Sequence, residues 1–324
     1  MADRKITREV LEAALNGDWE PIKSLPKTDL HAHLLLSAPF TAYENLIDGN
    51  IRPPPERFRN LDHFLEYVKQ EFFPIFTDID SYRTIIHSAF RHMIEDGVVF
   101  TEASYDISMP LLIDKRWQDV AKIFQEEIAE VRSQLIVFPD LGLARDFPLP
   151  GWPALVEEAL ATDFFKGIDL YGAELLKPIQ EFAEFFQAAR AKDLKIKMHC
   201  GETGSPARML EEISFVEPLA LQHGVRASED RELMSQIASS GMEVNVCPMS
   251  NYRLSVVQEY SEHPIGEMLR SGIKVTLNTD DLAVFQRSLS EEYVHLYSSG
   301  ILTPIELEQL RQNGLSVMSR RTRR

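Results

Sequence analysis

The sequence predicts an α/β protein of the (β/α)8 TIM-barrel type, and three observations carry that prediction. Eight short runs rich in β-branched and apolar residues alternate with longer stretches of helical periodicity from one end of the chain to the other. Repetition of strand then helix is the pattern of a parallel sheet covered by helices. No Gly-x-Gly-x-x-Gly turn follows the first run, so the doubly wound open sheet loses its main support. A chain of 324 residues, 44% hydrophobic and 26% charged, has ample sequence to bury one large core without staples.

The elements follow in order. The first strand is expected at 27–31 (KTDLH). The stretch 40–81 after it is too long for one crossover and holds Arg52-Pro53-Pro54-Pro55-Glu56 and Phe72-Phe73-Pro74-Ile75-Phe76 around a helical patch. It reads as a helical insertion, either a lid over the barrel mouth or an excursion that closes the barrel end. An amphipathic helix at 82–95 leads to a strand at 98–105, and a helix at 117–132 to a strand at 134–143. A strand at 164–170 precedes a helix at 179–192 and the strand 195–199. Strands at 219–223 and 242–247 flank a helix at 229–238, and 273–278 completes the eight. The tail 319–324 (SRRTRR) is expected to be a solvated, frayed basic end. There is no internal repeat, so residues 1–324 read as one barrel domain.

Charge and composition narrow the function. The net charge of −16 (34 basic against 50 acidic residues) disfavours nucleic acid as a partner, because phosphate binding needs clustered cations. A small neutral ligand remains open. The N-terminal stretch MADRKITREV lacks the apolar centre of a signal peptide, and no apolar run reaches the ~20 residues of a membrane span. Two cysteines, Cys200 and Cys247, fit reduced, buried thiols and a cytoplasmic location rather than a disulfide scaffold.

Polar clusters at the ends of the strands carry the chemistry. In His31-Ala32-His33 the two imidazoles lie two residues apart, which on a strand points both to one side. Neutral imidazoles suit zinc or another divalent ion. His199-Cys200-Gly201-Glu202 ends the fifth run, Gln222-His223-Gly224 the sixth, and Asn278-Thr279-Asp280-Asp281 the eighth. Each therefore reaches the face where barrel enzymes do their chemistry. Asp280 and Asp281 are adjacent, so they share a site only if the chain turns directly after Thr279. His63, His87, His92, His263 and His295 fall in helical or loop segments and read as structural. The Cys247-Pro248-Met249-Ser250-Asn251 stretch reads as part of the mouth, with no catalytic role.

The set LHAH, HCGE, HG, CPMSN and NTDD, spread over residues 25–285, resembles the adenosine and AMP deaminase family of metal-dependent barrel hydrolases. It is unlike the cytidine-type zinc deaminases, whose His-x-Glu and Pro-Cys-x-x-Cys pair is missing. The resemblance implies His31, His33, His199 and Asp280 as ligands of one Zn2+ or other divalent metal. It makes Glu202 the proton donor to the purine ring, His223 the partner of the attacking water, and Asp281 a contact to the five-membered ring. Gly172 matches the glycine whose N–H meets purine N3. Zinc lowers the pKa of a bound water from ~15.7 toward ~7, which supplies hydroxide at neutral pH. His223 can then accept the water's proton, and a buried Glu202 stays protonated for transfer to the ring.

Two departures from the family concern the substrate. The family places a polar residue and a glycine after the first histidine pair and Leu34, whereas this chain has Leu35 and Leu36. A sugar hydroxyl buried against Leu35 loses its partner at a cost of ~1–3 kcal/mol. The group at the sugar end is therefore expected to be apolar, for example a 5′-deoxy or thioether group. The Glu-x-Arg pattern of the second strand is also broken, with Ser104 two residues after Glu102. The expected activity is hydrolytic deamination of a 6-aminopurine nucleoside or derivative. Another aminated heterocycle, such as a pterin or an N6-substituted purine, and a non-catalytic nucleoside-binding barrel are the alternatives.

Overall fold

A computed structural model describes residues 5–147 and 151–323. Eight parallel strands follow one another in chain order. They are β1 (Lys27–His33), β2 (Val98–Asp106), β3 (Ile136–Ala144), β4 (Gly167–Tyr171), β5 (Lys195–Cys200), β6 (Ala220–His223), β7 (Glu243–Val246) and β8 (Lys274–Leu277). The cylinder closes where the Asp280 N–H donates to His31 O (2.9 Å) and the His33 N–H donates to Asp280 O (3.3 Å). All eight expected strands are present, β1 running two residues further so that both histidines belong to it. The expected helix at 179–192 divides into a 3-10 turn, Ile179–Phe182, and an α-helix, Ala183–Ala191. That at 229–238 starts at Arg231, because Asp230 caps it by accepting from the Glu232 and Leu233 N–H groups.

Both faces of a parallel barrel sheet are covered, so its strands are buried almost throughout. The interior holds buried polar residues as well as aliphatics, and they pair with one another. Lys197 Nζ lies 2.6 Å from Asp140 Oδ2 and 3.3 Å from Glu102 Oε2 and donates to Leu30 O at 3.1 Å. Thr276 donates to Asn245 Oδ1 (2.7 Å), and Asn245 donates to Gln222 Oε1 (2.8 Å).

The part of the basic tail up to Arg321 is not frayed as expected. The last helix, Pro304–Arg321, lies against β1 and β8, and Arg321 is buried. Its guanidinium donates to Glu102 Oε1 (2.8 Å) and Glu243 Oε2 (2.6 Å), and Arg320 to Glu243 Oε1 (2.8 Å). These buried carboxylates need a cation, and the chain end provides it. Gly314 makes the close approach possible, since a Cβ there would sit 2.0 Å from Thr28 Oγ1.

The insertion lies over the mouth. Arg253 pins its proline-rich part by donating to the carbonyls of Pro55 and Glu56, while a third bond reaches Phe285 O (3.0 Å). The Phe58 N–H donates back to Arg253 O at 2.7 Å. The helix Leu61–Glu71 then turns Leu61, Phe64, Leu65 and Val68 toward the cavity above the strand ends. No described helix is long and apolar enough to cross a membrane.

Candidate active site

The β1–β2 register shifts between Asp29 and Ala32, and the two β1 imidazoles meet those of β5 and β6. Ring centroids lie 5.6 Å apart for His31 and His33, 4.7 Å for His31 and His199, and 4.9 Å for His199 and His223. Asp280 Oδ1 lies 3.5 Å from His31 Nε2 and 3.4 Å from His33 Nε2. His31, His33 and His199 each offer a nitrogen within 4.8 Å of the others.

Several observations fit a divalent metal here. Nε2 of His31 and of His199 are buried with no hydrogen-bond partner, which is costly unless something else binds them. His31 Nδ1 faces Asn245 O and Cys247 Sγ, both at 3.3 Å. A proton on Nδ1 serves that carbonyl and leaves the Nε2 lone pair free toward the gap. Burial, reinforced by the neighbouring imidazoles, holds His31 well below the usual histidine range, and burial likewise lowers His33. Neutral imidazole is the ligating form.

Two residues at this centre have unusual backbones. His223 (φ 62°) and Asp280 (φ 63°) occupy the left-handed region, a conformation that non-glycine residues adopt mostly where surrounding structure holds them. At Asp280 this is the turn after Thr279 that lets adjacent aspartates share one site. Thr279 fixes it by donating to Asp29 Oδ2 (2.5 Å). Asp281 is buried with Oδ1 unpartnered. Burial, then the charges of Asp280 and Glu202, push its carboxyl well above the usual range.

Glu202 stands on a loop wrapped around another carboxylate. Glu174 accepts from the N–H groups of Gly201 (2.5 Å), Thr203 (2.8 Å) and Gly204 (2.8 Å). The Glu202 side chain is buried, and its Oε1 has no hydrogen-bond partner and lies 3.7 Å from His223 Nε2. Burial, then Asp280 and Glu174, push its carboxyl well above the usual range, which favours the protonated form.

Beneath that loop, Arg145 and Glu212 form a fully buried pair with two 2.8 Å bonds, and Arg145 also donates to His199 O (2.9 Å). Arg145→Met should lower unfolding free energy in urea by about 3–5 kcal/mol, because Glu212 loses its buried partner. A change below about 1 kcal/mol would show that the pair does not hold the β5 end.

His33, His199, Glu202, His223, Asp280 and Asp281 floor a cavity of 710 Å³. Gly172, in the left-handed region at φ 84°, lines one side. Leu35 and Leu36, with Leu61, Phe64, Leu65 and Val68 of the insertion, make an apolar wall. Lys69 is the one cationic residue lining the cavity among the described residues. Of the residues singled out from the sequence, His33, Leu35, Gly172, His199, Glu202, His223, Asp280 and Asp281 line this cavity, and His31 lies beside them with its ring 4.7 Å from that of His199. Cys200 and Cys247 are free and buried, and burial raises both thiols well above their usual range.

Sequence reasoning missed three features. Tyr171 donates to Asp106 at the cavity edge. Ser104, which breaks the Glu-x-Arg pattern, donates to the buried Asp169 at Oδ2 (2.5 Å). His263 reads from the sequence as structural and Asn251 as part of the mouth with no catalytic role, yet Asn251 Nδ2 lies 3.1 Å from His223 Nδ1 and Asn251 Oδ1 lies 3.1 Å from His263 Nε2. No local spacing announces such a contact.

The family model described as Adenosine deaminase matches residues 37–320. That span starts after His31 and His33. A putative adenosine/adenine deaminase of Treponema pallidum is 27% identical over 90% of this chain and 97% of its own length. An adenine deaminase of Bordetella avium is 30% identical over 92% of this chain and 98% of its own. Among solved structures, an amidohydrolase of Burkhoderia ambifaria with bound Zn aligns with a TM-score of 0.81 and 20% identity, over 97% of this chain and 89% of that one.

Proposed function

Because this chain belongs to the adenosine deaminase family, and is as such a metal-dependent deaminase acting on purine C–N bonds, we propose that it removes the 6-amino group of a neutral purine with Zn2+ as its metal. The observation that carries this reading is the convergence of His31, His33, His199 and Asp280 beside the buried, unpaired carboxyl of Glu202. In this reading those four residues hold one ion. When bound, such an ion lowers the pKa of a water and so supplies a nucleophile at neutral pH.

The remaining steps belong to the chain's own side chains. Glu202 carries a proton in a desolvated pocket and gives it to a ring nitrogen, which makes the amine-bearing carbon electrophilic. His223 meets the attacking water, Asp281 engages the five-membered ring, and the Gly172 N–H engages N3. The insertion and the leucine wall exclude bulk water.

The wall also bears on the substrate. A phosphate would need a cationic partner, and Lys69 is the one cationic residue lining the cavity among the described residues, with the acidic Glu66, Asp106 and Asp146 also in the lining. Leu35 offers no acceptor to a sugar hydroxyl. An unphosphorylated purine with a small or apolar N9 group, such as adenine or a 5′-deoxy or 5′-thioether adenosine, fits this wall better than AMP. Ammonia release should be measured for adenine, adenosine, 5′-modified adenosines, AMP and N6-substituted purines. Activity on the neutral purines should exceed that on AMP by about a hundredfold or more in kcat/KM, from the ~1–3 kcal/mol left by each unpaired polar group. Silence across the panel would remove the purine reading, and preference for AMP would remove the substrate class.

A further inference from the structure

We propose that Asn251 and His263 form a positioning relay that fixes the proton of His223 on Nε2, so that this imidazole meets the attacking oxygen as a hydrogen-bond donor. The relay begins at a backbone N–H, which can only donate. Ile265 opens the helix Ile265–Arg270, where the first N–H groups have no intrahelical acceptor. Its N–H donates to His263 Nδ1 at 3.1 Å. Nδ1 of His263 is therefore unprotonated. His263 is buried, and that burial alone lowers its pKa to about 3, so the ring is neutral and carries its proton on Nε2.

Each later assignment follows from the one before. His263 Nε2 donates across 3.1 Å, so the Asn251 atom facing it is the carbonyl Oδ1. The amide nitrogen of Asn251 then faces His223, and Nδ2 donates to His223 Nδ1 across 3.1 Å. An Nδ1 that accepts holds no proton, which leaves the neutral His223 ring with Nε2–H. Asn251 is 0% exposed, His223 1% and His263 4%, so no bulk water offers an alternative partner. The left-handed backbone of His223 holds the ring in this alignment.

The consequence is chemical. His223 Nε2 points to the gap between Glu202 Oε1 (3.7 Å) and Asp280 Oδ2 (3.8 Å). With a proton there it can orient an oxygen and stabilise developing negative charge, but it cannot take up the water's proton as the sequence alone suggested. This half of the proposal rests on the reading above, in which His223 faces the attacking water. The tautomer does not.

The test uses metal-loaded protein grown with 15N-ring-labelled histidine, with the His223 signals assigned by their loss in His223→Gln. Across the neutral pH range the His223 Nδ1 signal should be that of an unprotonated acceptor and Nε2 that of a protonated nitrogen. Asn251→Asp replaces the donor by a carboxylate oxygen of the same shape. It should move the proton to Nδ1 and lower kcat about tenfold or more, with KM changed less than about threefold and metal content unchanged. Should that variant fail to fold, His263→Phe cuts the relay at its far end and should yield mixed tautomers with a smaller fall in kcat. A protonated Nδ1 in the wild-type chain, or a folded variant that keeps both the tautomer and kcat, overturns the proposal. If the wild-type chain deaminated no purine, the functional reading would fall while the ring spectra still decided the relay.

Discussion

Glu202→Gln should fold, keep its metal and lose turnover by about a thousandfold or more, the range expected when an acid–base group is removed. The buried Glu202 carboxyl has an unpartnered Oε1, and burial favours its protonated form. In that state it resembles glutamine in size and polarity, so the substitution removes little from stability. It does remove the transferable proton, because an amide N–H is far too weak an acid to give one to a purine ring. The loop geometry survives, since it depends on Glu174 accepting from three N–H groups rather than on Glu202. The measurement is kcat on the best substrate of the panel, with metal content and Tm as controls. A kcat within tenfold of wild type would take Glu202 out of the chemistry.

Exhaustive chelation should cut turnover by a similar or larger factor and lower Tm by several degrees. Without a cation, His31 and His199 keep buried Nε2 atoms with no partner, and Asp280, Asp281 and Glu202 crowd one pocket. An ion that binds only the folded chain stabilises it by mass action, by about 4 kcal/mol at a thousandfold excess over Kd. Adding back Zn2+ should restore both quantities. Full activity in the chelated protein, verified metal-free, would exclude the metal-dependent reading.

The barrel was legible because its strands are apolar runs separated by amphipathic helices, a signal that depends only on neighbours in sequence. The centre was legible for a related reason. Parallel strands bring their C-terminal ends to one face, so His31, His33, His199, His223 and Asp280 meet there whatever their separation along the chain. What could not be read were pairings that depend on the path of loops and helix ends. Arg321 looked like part of a solvated tail because nothing near it reveals the buried carboxylates of Glu102 and Glu243. His263 looked structural and Asn251 looked like mere mouth lining because their importance lies in the order of hydrogen bonds from the Ile265 N–H to His223. The insertion's packing was not legible either: only the folded chain shows that Leu61, Phe64, Leu65 and Val68 of Leu61–Glu71 line the cavity.

Anomalous X-ray scattering at the zinc edge, from crystals of the protein grown with Zn2+, tests the centre most directly. The account predicts one strong peak per chain within bonding distance of His31 Nε2, His33 Nε2, His199 Nε2 and a carboxylate oxygen of Asp280. No peak there, or a peak only at the cluster of exposed His87 and Glu130 with buried Glu127, would contradict it.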